Sequence, residues 1–420
     1  MGRTIAEKIL SFKSGVQCKR GDIITAEIDF IMAPDAQGPW IIEPFNQLKN
    51  KSVYDGEKIA FVIDHYVPCP NASVSAHHDM IRDFCKTYGI KLYESGEGIC
   101  HQILFEKGHL FPGGLFVGAD SHTCSYGAVG GLATGVGSTD IAVAMHYGKL
   151  WFKVPESIKI CLKGSLRRGV TAKDLALYIM GRLKADGAAY RAIEYSGPSL
   201  QTLDMDDRFT ICNLTVECGG KFGIMPFDGV TKKWCIASNI DFSSAVYPDE
   251  DAVYEREFTV DLSDVKCGVA KPHEVDNYAE LEDVRGVEVN MVLIGTCTNG
   301  RLKDLAQAHE ILKGRKVCGS VEFLVVPGSR EVYREAIKRG YVETFLNCGA
   351  MILPPGCGPC CGSSAGVPRD GANVLSTANR NFLGRMGNIK SNIYLASPYA
   401  AAAAVITGKI TDPEVFLNEK

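Results

Sequence analysis

The feature that most constrains the fold of this chain is the repeated alternation of short apolar runs with helix-forming stretches. Apolar runs occupy residues 58–63, 115–117, 157–162, 287–294 and 321–326. Each run is followed by polar or glycine-bearing residues and then by a helical pattern. Strands that alternate with helices form parallel sheets with crossover helices. The sequence therefore predicts an α/β fold in which ligands bind beyond the carboxyl ends of the strands.

The length of the chain indicates more than one sheet. Its 420 residues exceed what one hydrophobic core normally holds. We expect three α/β/α units with mostly parallel sheets, at residues 1–154, 155–286 and 287–420. The stretch 227–287 is charged and irregular in pattern, so we interpret it as surface elaboration that leads into the third unit.

Composition excludes several classes of protein. The net charge of −4, with 46% hydrophobic and 22% charged residues, gives no general attraction to nucleic acid or to anionic membranes. No apolar run reaches transmembrane length, and residues 1–15 have the pattern of an amphipathic helix rather than a signal peptide. Without an export signal, the sixteen cysteines favour a reducing cytoplasm over a disulfide scaffold.

Three cysteines have the arrangement of a metal centre. Cys357 and Cys360 lie three apart in a loop after the apolar run 350–353, which predicts a buried strand. Cys297 likewise follows an apolar run, 291–294. Thiolates select zinc, copper(I) or iron–sulfur clusters, and three protein ligands leave one coordination position free. A structural zinc site is the alternative, but it needs a fourth ligand that the sequence does not clearly provide.

Polar side chains cluster where the predicted strands end. They are Asp64 and His65 after one strand, Asp120 and His122 after another, and His101 at the start of a helix. Each of these residues alone is more often a helix cap or a turn residue. Five of them at corresponding positions of a parallel sheet predict one acid–base site.

Two further pairs complete the candidate site. Asn213 and Glu217 lie four apart and share one face of a predicted helix, 206–218. Their neighbours are apolar, and a buried carboxylate needs a partner or a function. Arg380 and Arg385 occupy a loop between the last two predicted strands, where guanidinium groups suit bidentate binding of a carboxylate. The alternatives are a solvated polar patch for the first pair and ordinary surface arginines for the second.

Four longer motifs give the chain a resemblance to a known family. They are GADSHTCSYGAVGGLATGVGSTD at 118–140, TCTNGR at 296–301, PGCGPC at 355–360 and ANRNFLGR at 378–385. Together they resemble the aconitase superfamily, and most closely its isopropylmalate isomerase and homoaconitase branch. The resemblance extends through essentially the whole chain. It implies three aconitase-like domains around a central iron–sulfur cluster, without the swivelling fourth domain.

The resemblance also implies a role for each motif residue. Cys297, Cys357 and Cys360 match the cysteines that hold one [4Fe–4S] cluster with an open iron. Cys361 stands where the family usually has an aliphatic residue. The residues that match the family's catalytic groups are Asp64, His65, His101, Asp120, His122 and Glu217. Those that match its substrate-binding groups are Ser121, Asn213, Arg380 and Arg385.

The activity that the resemblance implies is that of a hydro-lyase, which moves a hydroxyl group between adjacent carbons of a 2-hydroxy di- or tricarboxylate. We expect conversion of 2-isopropylmalate to 3-isopropylmalate in leucine biosynthesis, with homoaconitate, dimethylmalate or maleate–malate chemistry as alternatives. Pro34 and Asn388 depart from the family pattern and leave the substrate open.

The resemblance implies a partner as well. The chain ends just after the third unit, so a separate small subunit is expected to supply the fourth domain, its serine base and a further arginine. A cluster-bearing regulator that binds RNA is an alternative of a different class. The acidic net charge argues against that alternative.

Overall fold

The first of three larger sheets is built from the part of the chain before residue 154, which also contains a separate two-stranded sheet. The computed structural model describes residues 2–418. The strands here are β1 Ile23–Glu27, β2 Phe30–Pro34, β3 Ile59–Val62, β4 Lys91–Tyr93, β5 Leu115–Gly118, β6 Leu132–Gly135 and β7 Lys149–Lys153. The helices are α1 Ile5–Ser14, α2 Gly38–Asn46, α3 Ala72–Tyr88, α4 Cys100–Glu106 and α5 Ser138–Tyr147. Five strands form a parallel sheet in the order β4-β3-β2-β5-β6, and β1 pairs with β7 in antiparallel fashion.

The second sheet has four parallel strands in the order β10-β9-β8-β11. These strands are β8 Ser157–Lys163, β9 Ala192–Ser196, β10 Phe222–Ile224 and β11 Arg256–Asp261. The helices are α6 Ala172–Leu183, α7 Met205–Asn213 and α8 Gly229–Ala237. A 3-10 helix, Leu214–Cys218, continues α7 directly. The helix predicted at 206–218 is therefore present, with a tighter last turn.

The third sheet has seven strands in the order β13-β12-β18-β17-β14-β15-β16. They are β12 Gly268–Ala270, β13 Tyr278–Glu280, β14 Met291–Gly295, β15 Glu322–Val326, β16 Met351–Ile352, β17 Asn373–Ser376 and β18 Asn392–Leu395. The helices are α9 Thr296–Asn299, α10 Leu302–Leu312, α11 Arg330–Lys338, α12 Tyr341–Cys348, α13 Pro398–Thr407 and α14 Glu414–Leu417. Strand β12 pairs antiparallel with both of its neighbours, and the remaining pairs are parallel.

Side-chain caps start the helices where the sequence predicts them. In α1 the Thr4 hydroxyl accepts the Glu7 N–H at 3.3 Å, and the Glu7 carboxylate accepts the Thr4 N–H at 2.9 Å. Gly15 ends this helix with φ +70°, a conformation that favours glycine. Such a cap contributes about 1 kcal/mol. The N-terminal amphipathic helix is thereby confirmed.

Two predictions of local structure are wrong. Residues 227–287 are not irregular surface, because they contain α8, β11, β12 and β13. The three strands are short, and β11 is an edge strand whose charged side chains are largely exposed, so the sequence carries no continuous apolar run. The predicted buried strand at 350–353 is reduced to the two residues of β16 at the sheet edge, where Met351 is 50% exposed. The prolines that follow have no N–H with which to extend the ladder.

The three sheets share one hydrophobic core. A single cluster of buried side chains includes Met32 from the first sheet, Ile160 from the second and Leu293 from the third. Strands β12 and β13 precede residue 286 but pair within the third sheet, and the division of the chain at 154 and 286 stays a prediction. Among the described residues, none of the helices combines the length and the apolar character that crossing a bilayer requires.

Candidate active site

The three predicted metal-binding cysteines lie in one buried cluster. Cys297 lies in α9, directly after β14, whereas Cys357 and Cys360 lie on the loop after β16. Their exposures are 8%, 6% and 2%, and they pack together with Ile99 and Ala378. Two loops that are far apart in the sequence thus bring three thiols to one place.

Backbone geometry holds Cys297 against the third sheet. Gly295 has φ +136°, and a Cβ at this position would lie 2.0 Å from a carbonyl oxygen of the neighbouring strand β15. Thr296 also has a positive φ, 71°, which is costly for a β-branched residue. Arg301 holds the turn, because its guanidinium donates to the carbonyl oxygens of Thr298 and Cys297 at 2.8 and 3.0 Å.

Amide and guanidinium groups surround the thiols. Asn379 Nδ2 lies 3.1 Å from Cys297 Sγ, and Asn213 Nδ2 lies 3.5 Å from the same sulfur. Arg385 Nη2 lies 3.8 Å from Cys360 Sγ, and Arg385 Nε is buried without a hydrogen-bond partner in the described part of the chain. N–H donors of this kind stabilise negative charge on sulfur. Three buried thiols with N–H donors directed at them fit an iron–sulfur cluster.

Burial governs the ionisation of Cys297. It raises the pKa of this thiol to about 11, above its ordinary value, so a bound metal rather than the protein alone would keep the sulfur ionised. The hydrogen bond with Cys357 is the main cause that lowers the pKa of the Cys360 thiol, and the positive charge of Arg385 lowers it further. The guanidinium of Arg385 is therefore placed to stabilise negative charge on the Cys360 sulfur.

Cys361 packs against this cluster and also contacts Ser363. Its Sγ lies 3.7 Å from Cys357 Sγ and 2.6 Å from Ser363 Oγ. The hydrogen bond with Cys357 lowers the pKa of Cys361 to about 6. The amide of Asn379, by contrast, lies against both Cys297 and Cys360, with Oδ1 3.8 Å from the Cys360 sulfur. The geometry therefore favours Cys360 over Cys361 as the third ligand.

Asp35 shapes the backbone that carries the first histidine. Its carboxylate accepts the backbone N–H groups of Asp64, His65 and Tyr66 at 3.3, 2.9 and 3.1 Å. It also lies 3.0 Å from His78 Nε2. Asp35, Asp64 and His65 bring three potential metal-ligand atoms within 4.8 Å of one another. Since every oxygen of the two carboxylates already takes part in a hydrogen bond, we interpret this group as an orienting network.

His65 is held between two carboxylates. Its Nδ1 lies 2.7 Å from Asp64 Oδ1, and its Nε2 lies 3.7 Å from Asp120 Oδ2. Burial opposes the charged form, but the two carboxylates together raise the pKa of His65 well above its usual value. Asp64 is itself fixed by the backbone N–H of Cys100 at 2.7 Å. Both carboxylates thus favour the protonated form of the His65 imidazole.

Asp120 joins three of the predicted histidines. Its Oδ1 lies 2.9 Å from His101 Nε2 and accepts the backbone N–H of His122 at 2.8 Å. Burial opposes ionisation here too, yet the hydrogen bonds with His101, His122 and His65 lower the pKa of Asp120 well below its usual value. His101 is held from its other side by the Tyr126 hydroxyl, 3.0 Å from Nδ1.

The network continues from His122 to the third sheet. His122 Nε2 lies 2.8 Å from Glu217 Oε1, and Arg380 Nε lies 2.8 and 3.1 Å from Oε1 and Oε2 of the same carboxylate. Burial opposes ionisation of Glu217, but these two partners lower its pKa. Since Glu217 is buried and paired, and Arg380 is bonded to it, the alternatives of a solvated patch and a surface arginine are wrong at these positions.

Asn213 and Ser121 have different surroundings. Asn213 is fully buried, donates to Ser125 Oγ at 2.9 Å and accepts the Thr298 hydroxyl at 2.9 Å. Ser121, beside Asp120, lines a cavity of about 320 Å³ that also borders Lys221. The structure therefore places Asn213 against the Cys297 turn, while Ser121 has no hydrogen bond with the described residues that would tie it to the network.

Four residues that the sequence analysis did not single out support the site. They are His78, Tyr126, Arg301 and Asn379. The last three stand inside the quoted motifs, so the motifs themselves were the available signal. His78 lies on α3 within an ordinary amphipathic pattern, and nothing in the sequence distinguishes it.

The two departures from the family pattern have structural places. Pro34 is the buried last residue of β2, directly before Asp35. Asn388 donates through Nδ2 to the Pro368 carbonyl oxygen and to Asp370 Oδ1, both at 3.0 Å. Its amide therefore braces a turn, and in the described residues it makes no hydrogen bond with the cysteines or the histidine network.

Comparison with known proteins gives this arrangement a family. Residues 7–287 and 277–408 match the model of the aconitase family, described as aconitate hydratase. The chain belongs to the aconitase family. Membership makes it a hydro-lyase and implies an iron–sulfur cluster, which the three buried cysteines fit.

Relatives and a solved structure agree with this assignment. The chain is 48% identical to the 3-isopropylmalate dehydratase large subunit 2 of Archaeoglobus fulgidus, over 99% of this chain and 100% of that protein. It is 45% identical to the large subunit 1 proteins of the same name from Methanopyrus kandleri and Thermotoga maritima, again over 99% of this chain and 100% of each relative. The crystal structure of Thermococcus kodakaraensis aconitase X in its holo form superimposes with a TM-score of 0.50 at 13% identity, over 85% of this chain and 84% of that one. This likeness confirms the predicted α/β architecture.

Proposed function

We propose that the chain is the large subunit of a 3-isopropylmalate dehydratase, which interconverts 2-isopropylmalate and 3-isopropylmalate. The observation that carries the reaction class is one polar network beside three buried thiols. Hydrogen bonds join Asp64 to His65, Asp120 to His122 and His122 to Glu217, and an ion-pair contact of 3.7 Å joins His65 to Asp120. The backbone joins the two parts, because the Cys357 N–H donates to the Asp64 carbonyl oxygen at 2.8 Å. Full-length relatives of the same name support the substrate.

We assign a [4Fe–4S] cluster to Cys297, Cys357 and Cys360, one per chain. Hydroxide is a poor leaving group, and a cluster bound there supplies the Lewis acid that such a departure needs. The chain's own contribution is the pocket. It buries the thiols, directs the Asn379 and Asn213 amides at Cys297, and sets the Arg385 guanidinium against Cys360.

The histidines hold and move the proton. Asp64 and Asp120 favour the protonated form of His65, so it suits donation to a departing hydroxyl oxygen. Asp120 orients both His101 and His122, because its Oδ1 lies 2.9 Å from Nε2 of His101 and 3.4 Å from Nδ1 of His122. Glu217 fixes the other ring nitrogen of His122, because its Oε1 lies 2.8 Å from Nε2.

The arginines serve the substrate carboxylates. Arg380 uses Nε for Glu217, and its Nη atoms make no hydrogen bond with residues 2–418, so they are free to face a carboxylate. Arg385 is partly buried and keeps Nε without a partner in the same range. Negative charge grows beside a carboxylate when the proton leaves the adjacent carbon, and guanidinium groups stabilise that charge. Ser121 and Asn213 complete the proposed substrate-binding set.

A small subunit completes the proposed enzyme. The relatives are named large subunits, which supports a smaller partner chain. We propose that this partner supplies the remaining catalytic base, and that residues 1–154, 155–286 and 287–420 act as three domains on the large-subunit side.

A substrate panel tests the proposal. The chain is combined with its small subunit, reconstituted without oxygen, and assayed with 2-isopropylmalate, homocitrate, a dimethylmalate and malate by NMR of the products. We expect kcat/KM for 2-isopropylmalate to exceed the others by at least about tenfold, about 1.4 kcal/mol of transition-state discrimination. A preference for another acid would refute the substrate. Failure of the cluster-replete complex to dehydrate or isomerise any of them would refute the reaction class, and specific RNA binding would favour the regulator.

A further inference from the structure

Lys173 is a fully buried cation where the second and third sheets meet. It is the second residue of α6 and has 0% exposure. Its Nζ donates to the Thr377 carbonyl oxygen at 2.8 Å and also to the carbonyl oxygen of Ala378. These two residues connect the end of β17 to Asn379. A lysine on helix α6 thus holds the loop that follows β17 of the third sheet.

The position is unfavourable for a lysine in three ways. The N-terminus of a helix carries partial positive charge, which disfavours a cation in the first turn. Complete burial lowers the pKa of Lys173 to about 7. Within residues 2–418 no carboxylate lies within ion-pair distance of Nζ, because the adjacent Asp174 accepts the N–H groups of Thr171 and Gly268 instead. A buried ammonium in such a place needs negative charge nearby.

The loop that Lys173 holds touches both halves of the site. Asn379 directs Nδ2 at the Cys297 sulfur, and Arg380 pairs with Glu217. Thr377 Oγ1 accepts the Gly295 N–H at 2.9 Å, directly before the cysteine turn. Lys173 therefore fixes the backbone from which the side chains of Thr377, Asn379 and Arg380 extend.

Ionised groups in the neighbouring elements favour the charged form of Lys173. They are first Cys297, then Asp304, Cys360 and Asp174. When the cysteine sulfurs bind a metal they are ionised. The 377–380 loop that Lys173 holds brings Asn379 Nδ2 to 3.1 Å from Cys297 Sγ, and it therefore connects the ammonium to the thiolates.

We propose that Lys173 is a positioning residue of the active site. Its ammonium holds the 377–380 loop by the carbonyl oxygens of Thr377 and Ala378, and it brings positive charge to the loop whose Asn379 amide lies 3.1 Å from the Cys297 sulfur. The inference rests on the proposed function in one respect, since the bound group is taken to be the iron–sulfur cluster.

Three variants separate the hydrogen bonds of Lys173 from its charge. Lys173→Met removes both, Lys173→Gln keeps an N–H donor without charge, and Arg208→Met is the control. Arg208 is an equally buried cation that contacts Asp228, Thr231 and two carbonyl oxygens but no residue of the 377–380 loop. The readouts are hydrogen exchange of residues 373–381 in the cluster-free chain, the cluster reduction potential, iron loss in air, and kcat and KM with the small subunit.

We expect Lys173→Met to speed exchange of the loop, shift the reduction potential to a more negative value and accelerate iron loss about tenfold. Its kcat/KM should fall about tenfold or more, because Arg380 and Asn379 lose their fixed positions. Lys173→Gln should show the shifted potential with loop exchange close to that of the wild type. Arg208→Met should lower the melting temperature and leave the potential unchanged.

A lower melting temperature of Lys173→Met, with wild-type potential, wild-type loop exchange and unchanged kcat/KM, would overturn the inference and make Lys173 an ordinary core residue. Failure of the wild-type chain itself to take up a cluster would count against the proposed function. Wild-type behaviour of the Lys173 variants beside an active wild-type enzyme would count against this inference alone.

Discussion

Nε2 of His122 lies 2.8 Å from Oε1 of Glu217, and the two residues come from different sheets. His122 follows β5 of the first sheet, whereas Glu217 lies in the 3-10 helix that continues α7 in the second. Both side chains are buried, so their hydrogen bond forms in a low-dielectric environment where charge pairs act strongly. The acid–base network therefore depends on how the sheets pack against each other.

Replacing Glu217 tests this contact. In Glu217→Gln the shape is kept and the charge is lost, so His122 and Arg380 lose a shared anion. We expect kcat/KM to fall about 100-fold, the lower range for loss of an acid–base group, with iron content unchanged. Glu322→Gln, on the exposed start of β15, is the matched control and should retain full activity. Equal kinetics for the two variants would remove Glu217 from the mechanism.

The cysteine set is tested by single serine substitutions. Anaerobic iron and sulfide analysis of Cys297→Ser, Cys357→Ser and Cys360→Ser should show loss of the cluster, because each removes one of the buried thiols. Cys361→Ser should keep it, since Cys361 faces Ser363 and lies 3.7 Å from Cys357. Full cluster retention in any of the first three variants would exclude that cysteine as a ligand. Loss of the cluster in Cys361→Ser would assign the third ligand position to Cys361 instead of Cys360.

Arg385→Lys separates substrate binding from support of the cysteine loop. An ammonium offers one point contact where a guanidinium offers two parallel donors. Losing one charge-assisted contact should cost about 1.5 to 3 kcal/mol, about ten- to a hundredfold in kcat/KM, while iron stays bound. Iron content, melting temperature and kinetics are measured on one preparation with the small subunit. Cluster loss with a lowered melting temperature and no specific kinetic defect would instead make Arg385 a support of Cys360, whose sulfur it approaches to 3.8 Å.

Catalysis should require the small subunit. We expect the purified, cluster-replete chain alone to give no turnover of 2-isopropylmalate, and activity to rise with added small subunit until a stoichiometric complex forms. A titration followed by product NMR measures this dependence. Robust turnover of 2-isopropylmalate by the single chain would show that it carries a complete set of catalytic groups.

Asp35 should give the cluster-free chain a pH-dependent stability. Burial opposes its ionisation, but the hydrogen bond from His78 and the charge of His65 lower the folded pKa below 3.8. A lowered folded pKa contributes stability that is present above the unfolded pKa and is lost as pH falls through the folded value. The melting temperature should therefore fall below about pH 4 in the wild type.

Asp35→Asn should flatten that acid dependence and cost about 1 to 3 kcal/mol at neutral pH, because the backbone N–H groups of His65 and Tyr66 lose a charged acceptor. Thermal melting between pH 7 and pH 3 provides the measurement. Asp83→Asn on the exposed face of α3 is the control. If the melting temperatures of the wild type and Asp35→Asn fell equally between pH 7 and pH 3, Asp35 would not be the source of the acid dependence.

Local signals explain how much of the fold the sequence predicted. The capping box of Thr4 and Glu7, the cap at Ser329 and the turn at Gly408 all stand where the helices begin and end. Caps and apolar periodicity act over a few residues, so a sequence displays them directly. Strands β12 and β13 escaped prediction because each has only three residues. Strand β11 escaped it because its charged side chains are largely exposed and its pairing partner, β8, lies far away in the chain.

The chemistry-bearing residues were also visible in the sequence. Cys297, Asp120 and His122 follow apolar runs, and the carboxyl ends of parallel strands are where such sheets bind ligands. By itself the sequence determined the α/β class, the family resemblance and the candidate residues, because these depend on local pattern and on motif.

Only the tertiary structure decided which of these residues meet. It joined His122 to Glu217 and Arg380, placed the Asn379 amide against Cys297 and Cys360, and buried Lys173 under the 377–378 carbonyls. Each of these contacts crosses between loops or sheets that are distant in the chain. Their geometry is fixed by the shared core and by the hydrogen bonds that buried polar groups must find, and neither can be derived from the spacing of residues along the sequence.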